Sequence, residues 1–375
     1  AEEEVMLDGN ELAGGYDYFS VGGMSVSPDN NWLAYGIDTL SRRFYTIHFK
    51  NLSTGNVLKQ TIPNTTGSAA WANDNKTVFY TSKNITTLLS EKIYRHKIGS
   101  EPTKDVLVYK EDDIEYYTGV YRSKSGKYII IWNGSTLVSD YHILSADNPN
   151  GNFANFTPRG TEHEYSIVHY GNKFYIVTNW EAENNRLMET PEDATNMSNW
   201  TEVIAHRNEV HLLDFDVFDN HLVLNERGNG LRGLRIINQT SGKDQYINFG
   251  ENAYTAWIST NREFNTNILR YGYSSMVTPS STYDYNMDTG EKTLMKQNEV
   301  VGGYNSDKYY SERLYAKARD GKKIPISLVY RKDLKTEVAQ SLLLYAYGSY
   351  GSTNDPYFSS TRLSLLDRGF IYAIA

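Results

Sequence analysis

Gly23-Met24-Ser25-Val26-Ser27-Pro28-Asp29-Asn30-Asn31-Trp32-Leu33-Ala34-Tyr35 alternates small or apolar residues with polar ones, breaks at Pro-Asp-Asn-Asn, and resumes as an aromatic and aliphatic run. Alternation, turn chemistry and a second β-rich run together mark a hairpin. The pattern returns from Gly67 through Trp71, the turn Asn73-Asp74-Asn75-Lys76, and Val78-Phe79-Tyr80. It returns again from Gly119 through Ser125-Gly126-Lys127 to Tyr128-Ile129-Ile130-Ile131, and more weakly at Tyr165 to Val177, Phe215 to Leu224 and Trp257 to Tyr271. The first three glycines are roughly 44 and 52 residues apart, near the ~40 to 50 residues of one four-stranded propeller blade.

Further strand-like runs, Phe44 to Phe49 and Leu234 to Ile237, lie between copies and are followed by the turns Ser53-Thr54-Gly55 and Thr240-Ser241-Gly242. They supply outer strands for each blade. Hairpins at such spacing also build sandwiches and β-helices. Six readable copies favour a propeller, because a single blade cannot bury both faces and must stack radially on its neighbours.

Around Tyr309 the texture changes. Ser311 to Ala318 and Lys323 to Tyr330 form two strands about Asp320-Gly321, and Leu342-Leu343-Leu344-Tyr345 is a continuous apolar run of the kind found in buried parallel strands. Thr361 to Arg368 predicts a helix ending at Gly369, and Phe370 to Ala375 another buried strand. Strand, helix, strand opens an α/β domain. The expected division is therefore a propeller over residues 1–309 and the start of an α/β domain over 310–375. Because the sequence closes on an apolar strand with no helix after it, it reads as an N-terminal fragment.

Composition narrows the function. In 375 residues, 39% are hydrophobic and 22% charged, with 31 Tyr, which excludes a disordered chain and suits half-buried sheets. A net charge of −8 lacks the basic excess that phosphate neutralisation needs, so nucleic acid is not an expected partner. With no cysteine there is no disulfide, thiolate metal site or cysteine nucleophile. Ala1 to Glu4 are acidic where a leader would be basic, and no run reaches the ~20 apolar residues of a membrane span. His163, between Glu162 and Glu164, and His206 and His211 lack the His-Glu-x-x-His spacing of a helical metal site, and no phosphate-binding glycine loop occurs. No cofactor is expected.

Ser311-Glu312-Arg313-Leu314, Ala318-Arg319-Asp320-Gly321, Ile324 to Tyr330, Leu344-Tyr345-Ala346-Tyr347-Gly348-Ser349-Tyr350-Gly351 and Ser360 to Phe370 closely resemble the serine oligopeptidases of the prolyl oligopeptidase family, the oligopeptidase B (protease II) group in particular. Gly22-Gly23-Met24, Ser41-Arg42-Arg43, His163-Glu164-Tyr165-Ser166 and Leu269 to Met276 extend the resemblance over nearly the whole chain. It implies a seven-bladed propeller, with room for an incomplete blade at the N-terminus, capping an α/β-hydrolase domain. It implies a Ser/Asp/His triad between the two that cleaves short peptides after Arg or Lys. An enclosed cavity passes an extended peptide and excludes a folded protein, so the propeller acts as a size filter.

The triad's nucleophile needs a Gly-x-Ser-x-Gly elbow between a strand and a helix, and no such elbow occurs up to Ala375. The family places all three triad residues later, so this chain alone is expected to be inactive, its missing catalytic half being a partner. Read from position alone, Tyr347 is a core tyrosine in a Tyr-rich strand before it is anything else; the surrounding motif reverses that order, and by the resemblance Tyr347 is the oxyanion-hole donor. Tyr350 matches an aromatic that lines the primary subsite in prolyl-specific relatives, or it packs. Asp355 matches one of two acidic residues that bind a basic side chain at the second subsite, the other position here being Tyr357, while Asp355-Pro356 also reads as a plain turn. Arg43 matches a propeller arginine that reaches the hydrolase domain, or lies on a solvated strand edge. A propeller acting only as a binding or scaffold module is the alternative, and the apolar strands after Leu342 argue against it. The resemblance is compatible with a bacterial cytoplasm or periplasm, and no residue decides between them.

Overall fold

A computed structural model describes residues 4–160 and 163–375; Ala1 to Glu3, Thr161 and Glu162 lie outside the described residues. The chain forms two compact units, one of residues 1–182 with 186–205, the other of 183–185 with 206–375.

In the first unit, one seven-stranded antiparallel sheet runs in chain order from Ser20–Val26 to Val106–Lys110. It is two blades joined by a shared strand, Ile62–Trp71. The early part of that strand pairs with Tyr45–Asn51 (Ile47 opposite Ile62), and its later part with Thr77–Lys83 (Trp71 opposite Val78). Two four-stranded sheets follow, spanning Tyr117 to Asn155 and Tyr165 to Ile204.

The expected hairpins form here. The first closes with Asn30 in the left-handed region (φ 61), which asparagine tolerates better than most residues. Successive residues of the second strand of a blade face different neighbours. Ile129 and Ile131 pack with Phe79 and Ile93 of the preceding sheet and with Val120 of their own, whereas Ile130 packs with Tyr165, Phe174 and Trp200 of the following one. All three isoleucines are fully buried. Burial on both faces explains why these strands read as continuous apolar runs and not as alternating ones.

The second unit repeats the arrangement in two four-stranded sheets, Val210 to Tyr246 and Tyr254 to Gln297, which share a core of Val223, Leu234, Ile236, Leu269, Tyr271 and Tyr273. Six blade-like strand groups thus occur among the described residues, against an expectation of seven with part of one missing.

A last sheet has the order Tyr309–Lys317, Lys323–Arg331, Ile371–Ile374, Leu342–Tyr345; the second strand is antiparallel to both its neighbours and the last two are parallel. The helix expected over 361–368 is shorter: a 3-10 turn at Ser360–Arg362 leads into one α-turn, Leu363–Leu366. Gly369 ends it at φ 82, a conformation that glycine adopts without Cβ strain. Leu342–Tyr345 is parallel as expected but not buried. It is the edge strand, and all four residues are exposed because no element among the described residues covers them.

Candidate functional site

The parallel pair Leu342–Tyr345 and Ile371–Ile374 positions the candidate site, since the chain leaves the carboxyl end of the first strand directly into Ala346-Tyr347-Gly348. In α/β sheets ligands gather at such strand ends. The Tyr347 ring is half exposed, and its hydroxyl has no hydrogen-bond partner among the described residues. Its carbonyl accepts from Asn354 Nδ2 at 2.8 Å, which folds the segment back on itself. Tyr350 sits in the left-handed region (φ 58, ψ 34) with its ring 98% exposed. A cavity of about 360 Å3 opens between Tyr345, Asn354, Tyr357, Arg362 and Tyr372. Arg362 is buried there, donating to the Tyr357 carbonyl at 2.9 Å with its guanidinium 4.2 Å from the Tyr372 ring centre.

Asp355 is not an open carboxylate. Arg227 Nη1 donates to Oδ1 at 2.6 Å, Arg232 Nε lies 2.9 Å from Oδ2 as an ion pair, and Thr255 Oγ1 donates to Oδ2 at 3.2 Å. The two arginines face each other across the hairpin of His221–Gly228 and Leu231–Asn238, whose tip is Asn229-Gly230. Both tip residues have positive φ (51 and 74), the geometry of a two-residue turn matched to strand twist. The tip is held as well: Arg313 Nη2 donates to the Asn229 carbonyl, and Arg313 Nη1 to Ser327 Oγ at 3.1 Å. A Cβ on Gly230 would lie 2.8 Å from Arg313 Nη2. A second cavity, about 600 Å3, is bordered by Glu226, Asn229, Tyr246, Tyr254, Arg313 and Tyr315.

The structure therefore brings Tyr347 and Asp355 together through Asn354 and leaves the Tyr350 ring in solvent, while Arg43 belongs to the first unit. Arg43 lies in an exposed turn (φ 55), its amide donating to Asp38 Oδ2 at 2.7 Å and its carbonyl accepting from Lys83 Nζ at 3.2 Å. Arg227, Arg232 and Arg313 escaped the sequence reading. Arg-Gly-Asn-Gly-Leu-Arg was the available signal for the first two, an Asn-Gly turn with arginines at cross-strand positions.

One other cluster has the connectivity of a hydrolytic relay. Ser125 Oγ lies 2.9 Å from His169 Nδ1, and His169 Nε2 2.8 Å from Glu192 Oε2. The imidazole is 2% exposed and Glu192 is already paired with Lys127 at 2.6 Å. A substrate carbonyl has no room beside that ring, so the cluster works as a clasp between two turns.

Residues 1–298 match the family described as prolyl oligopeptidase, N-terminal beta-propeller domain. The chain is 44% identical over its full length to dipeptidyl aminopeptidase BI of Pseudoxanthomonas mexicana, covering 52% of that protein. It is 32% identical to protease 2 of Moraxella lacunata, again over its full length, covering 54% of it. Among solved structures it resembles oligopeptidase B from Leishmania major, with a TM-score of 0.91 at 29% identity over 99% of this chain and 54% of that one. The chain spans about half the length of the curated relatives it matches.

Proposed function

The chain belongs to the prolyl oligopeptidase family, whose N-terminal propeller domain it carries, and from that premise we propose that the whole protein is a serine oligopeptidase hydrolysing short peptides after Arg or Lys. Residues 1–309 form the size-filtering propeller in this reading, and 310–375 open the α/β-hydrolase domain. The Ser, Asp and His of the triad belong to sequence that follows Ala375. The Tyr347 hydroxyl would donate a hydrogen bond to the oxyanion of the tetrahedral intermediate, a contact of about 2.7 to 4 kcal/mol for comparable donors.

The observation that carries this reading is the position of Tyr347, directly after a parallel strand, with its hydroxyl free among the described residues. A strand end is where an oxyanion donor and an elbow nucleophile of an adjacent parallel strand can converge. Cleavage after a basic residue rests on the likeness to oligopeptidase B and protease 2. The 44% identity to a dipeptidyl aminopeptidase favours a second reading, release of dipeptides from a free N-terminus.

Fluorogenic peptides ending in Arg, with the amino terminus free or acylated, test both. The full-length protein is expected to cleave the acylated peptide with sensitivity to a serine-directed inhibitor, and the polypeptide 1–375 to cleave neither. Hydrolysis of the free-amine peptide alone selects the second reading. Genuine hydrolysis by 1–375 overturns the placement of the triad.

A further inference from the structure

We propose that Asp355 is a positioning residue, tying the segment that carries Tyr347 to the arginine pair of the 221–238 hairpin, so that blade residues hold the oxyanion donor in place; this rests on the reading of Tyr347 given above. Between Tyr347 and Phe358 the chain has one 3-10 turn, Ser349–Gly351, and otherwise no regular structure to hold it. Its anchors are side chains. Asn354 holds the Tyr347 carbonyl, Asp355 holds Arg227, Arg232 and Thr255, and the Phe358 amide donates to Ser274 Oγ at 3.0 Å. Arg227, Arg232, Thr255 and Ser274 all come from the last two four-stranded blades.

The electrostatics make Asp355 the central anchor. Two guanidinium groups share one carboxylate that is mostly buried, its side chain 14% exposed. Removing that charge leaves two like charges facing each other across a hairpin, and the cheapest relief is for the hairpin and the 352–358 segment to separate. Asn354 is the next residue along the chain, so the displacement passes to the Tyr347 carbonyl and its ring. An oxyanion donor acts only at hydrogen-bond distance from the developing alkoxide, and a misplacement of about 1 Å costs on the order of 10²-fold in rate. The same pairing leaves the site with excess positive charge, so Asp355 does not present a free carboxylate to a basic substrate side chain.

The test compares Asp355→Asn, Asp355→Glu, Arg227→Ala and the Asp355→Asn/Arg227→Ala double variant in the full-length protein, with folding verified by circular dichroism and thermal midpoint. The substrates are two fluorogenic peptides ending in Arg, preceded by Arg or by Ala. The expected result is a fall in kcat of about ten- to a hundredfold for Asp355→Asn and Arg227→Ala, equal for both peptides, with KM little changed. The double variant should be no worse than either single one, and Asp355→Glu should recover part of the loss. A rise in KM confined to the Arg-Arg peptide, with kcat intact, makes Asp355 a substrate subsite and overturns the proposal. Wild-type activity lost in Tyr347→Phe but unchanged in Asp355→Asn overturns the proposal alone. An inactive wild-type protein, or an unaffected Tyr347→Phe, removes the functional reading and the proposal with it.

Discussion

Asp355 Oδ1 accepts a 2.6 Å hydrogen bond from Arg227 Nη1, joining residues 128 positions apart in the chain. Both side chains are largely withdrawn from solvent, at 14% and 12% exposure, so the pair is screened less than a surface ion pair. It binds a loop of the final sheet to a hairpin of a blade, and the predictions below follow from such contacts between elements.

Tyr347→Phe removes a hydroxyl and little else, because the ring is half exposed and the backbone contact to Asn354 remains. In the full-length protein kcat should fall about 10²–10³-fold with KM and thermal midpoint nearly unchanged. Steady-state kinetics on an Arg-terminated peptide decide it, and an unchanged kcat removes Tyr347 from the chemistry.

Gly230→Ala places a Cβ where φ is 74 and where the Arg313 guanidinium already sits. The left-handed conformation alone costs roughly 1–2 kcal/mol for a residue with a Cβ. A lower urea midpoint is expected, and a midpoint equal to wild type means the turn reorganises freely.

Ile130→Ala empties a fully buried position packed among Tyr165, Phe174 and Trp200. The lost contacts and residual cavity should destabilise the protein by about 2–5 kcal/mol. Denaturant unfolding measures this. A loss well under 1 kcal/mol would mean the neighbouring sheets collapse onto the space.

Acid should weaken the protein before its carboxylates titrate. Burial holds His169 below its ordinary value of 6.5 although Glu192 pulls the other way, and burial depresses His48, His163 and His211 as well. A depressed histidine binds fewer protons folded than unfolded, so its contribution is complete above pH 6.5 and is lost as pH falls below that value. Glu192, held down chiefly by its hydrogen bond from Lys127, adds a loss of the same sign below about pH 4.5. Urea midpoints measured from pH 8 to 5 should be flat above 7 and then decline, less steeply in His169→Gln. An identical slope in that variant contradicts the assignment.

Much of the fold was legible because its signals are local. Pro28-Asp29-Asn30-Asn31 and Asn73 to Lys76 make turns whatever surrounds them, and a run such as Ile129-Ile130-Ile131 declares a strand covered on both faces. Leu342–Tyr345 was recognised as parallel from the same kind of run, yet its exposure was not foreseen, because burial belongs to what packs on a strand and not to the strand. The helix at Leu363–Leu366 was overestimated in length for a related reason. Ser359 and Ser360 begin a 3-10 turn, in which Arg362 turns inward to the Tyr357 carbonyl and the Tyr372 ring.

The candidate site was legible only in part. The motif around Tyr347 marked a strand end and its aromatic, since both follow from residues adjacent in the chain. Asp355 was visible as a carboxylate, and its partners were not. Backbone propensity and turn chemistry act over a few residues, so the order of amino acids alone determined the hairpins, their repetition and the change to an α/β pattern after Tyr309. Which guanidinium meets which carboxylate depends on how stacked blades and the last sheet bring residues 128 positions apart to hydrogen-bond distance. That was decided by tertiary packing, because a charge taken out of water must find its counter-charge wherever the fold puts one.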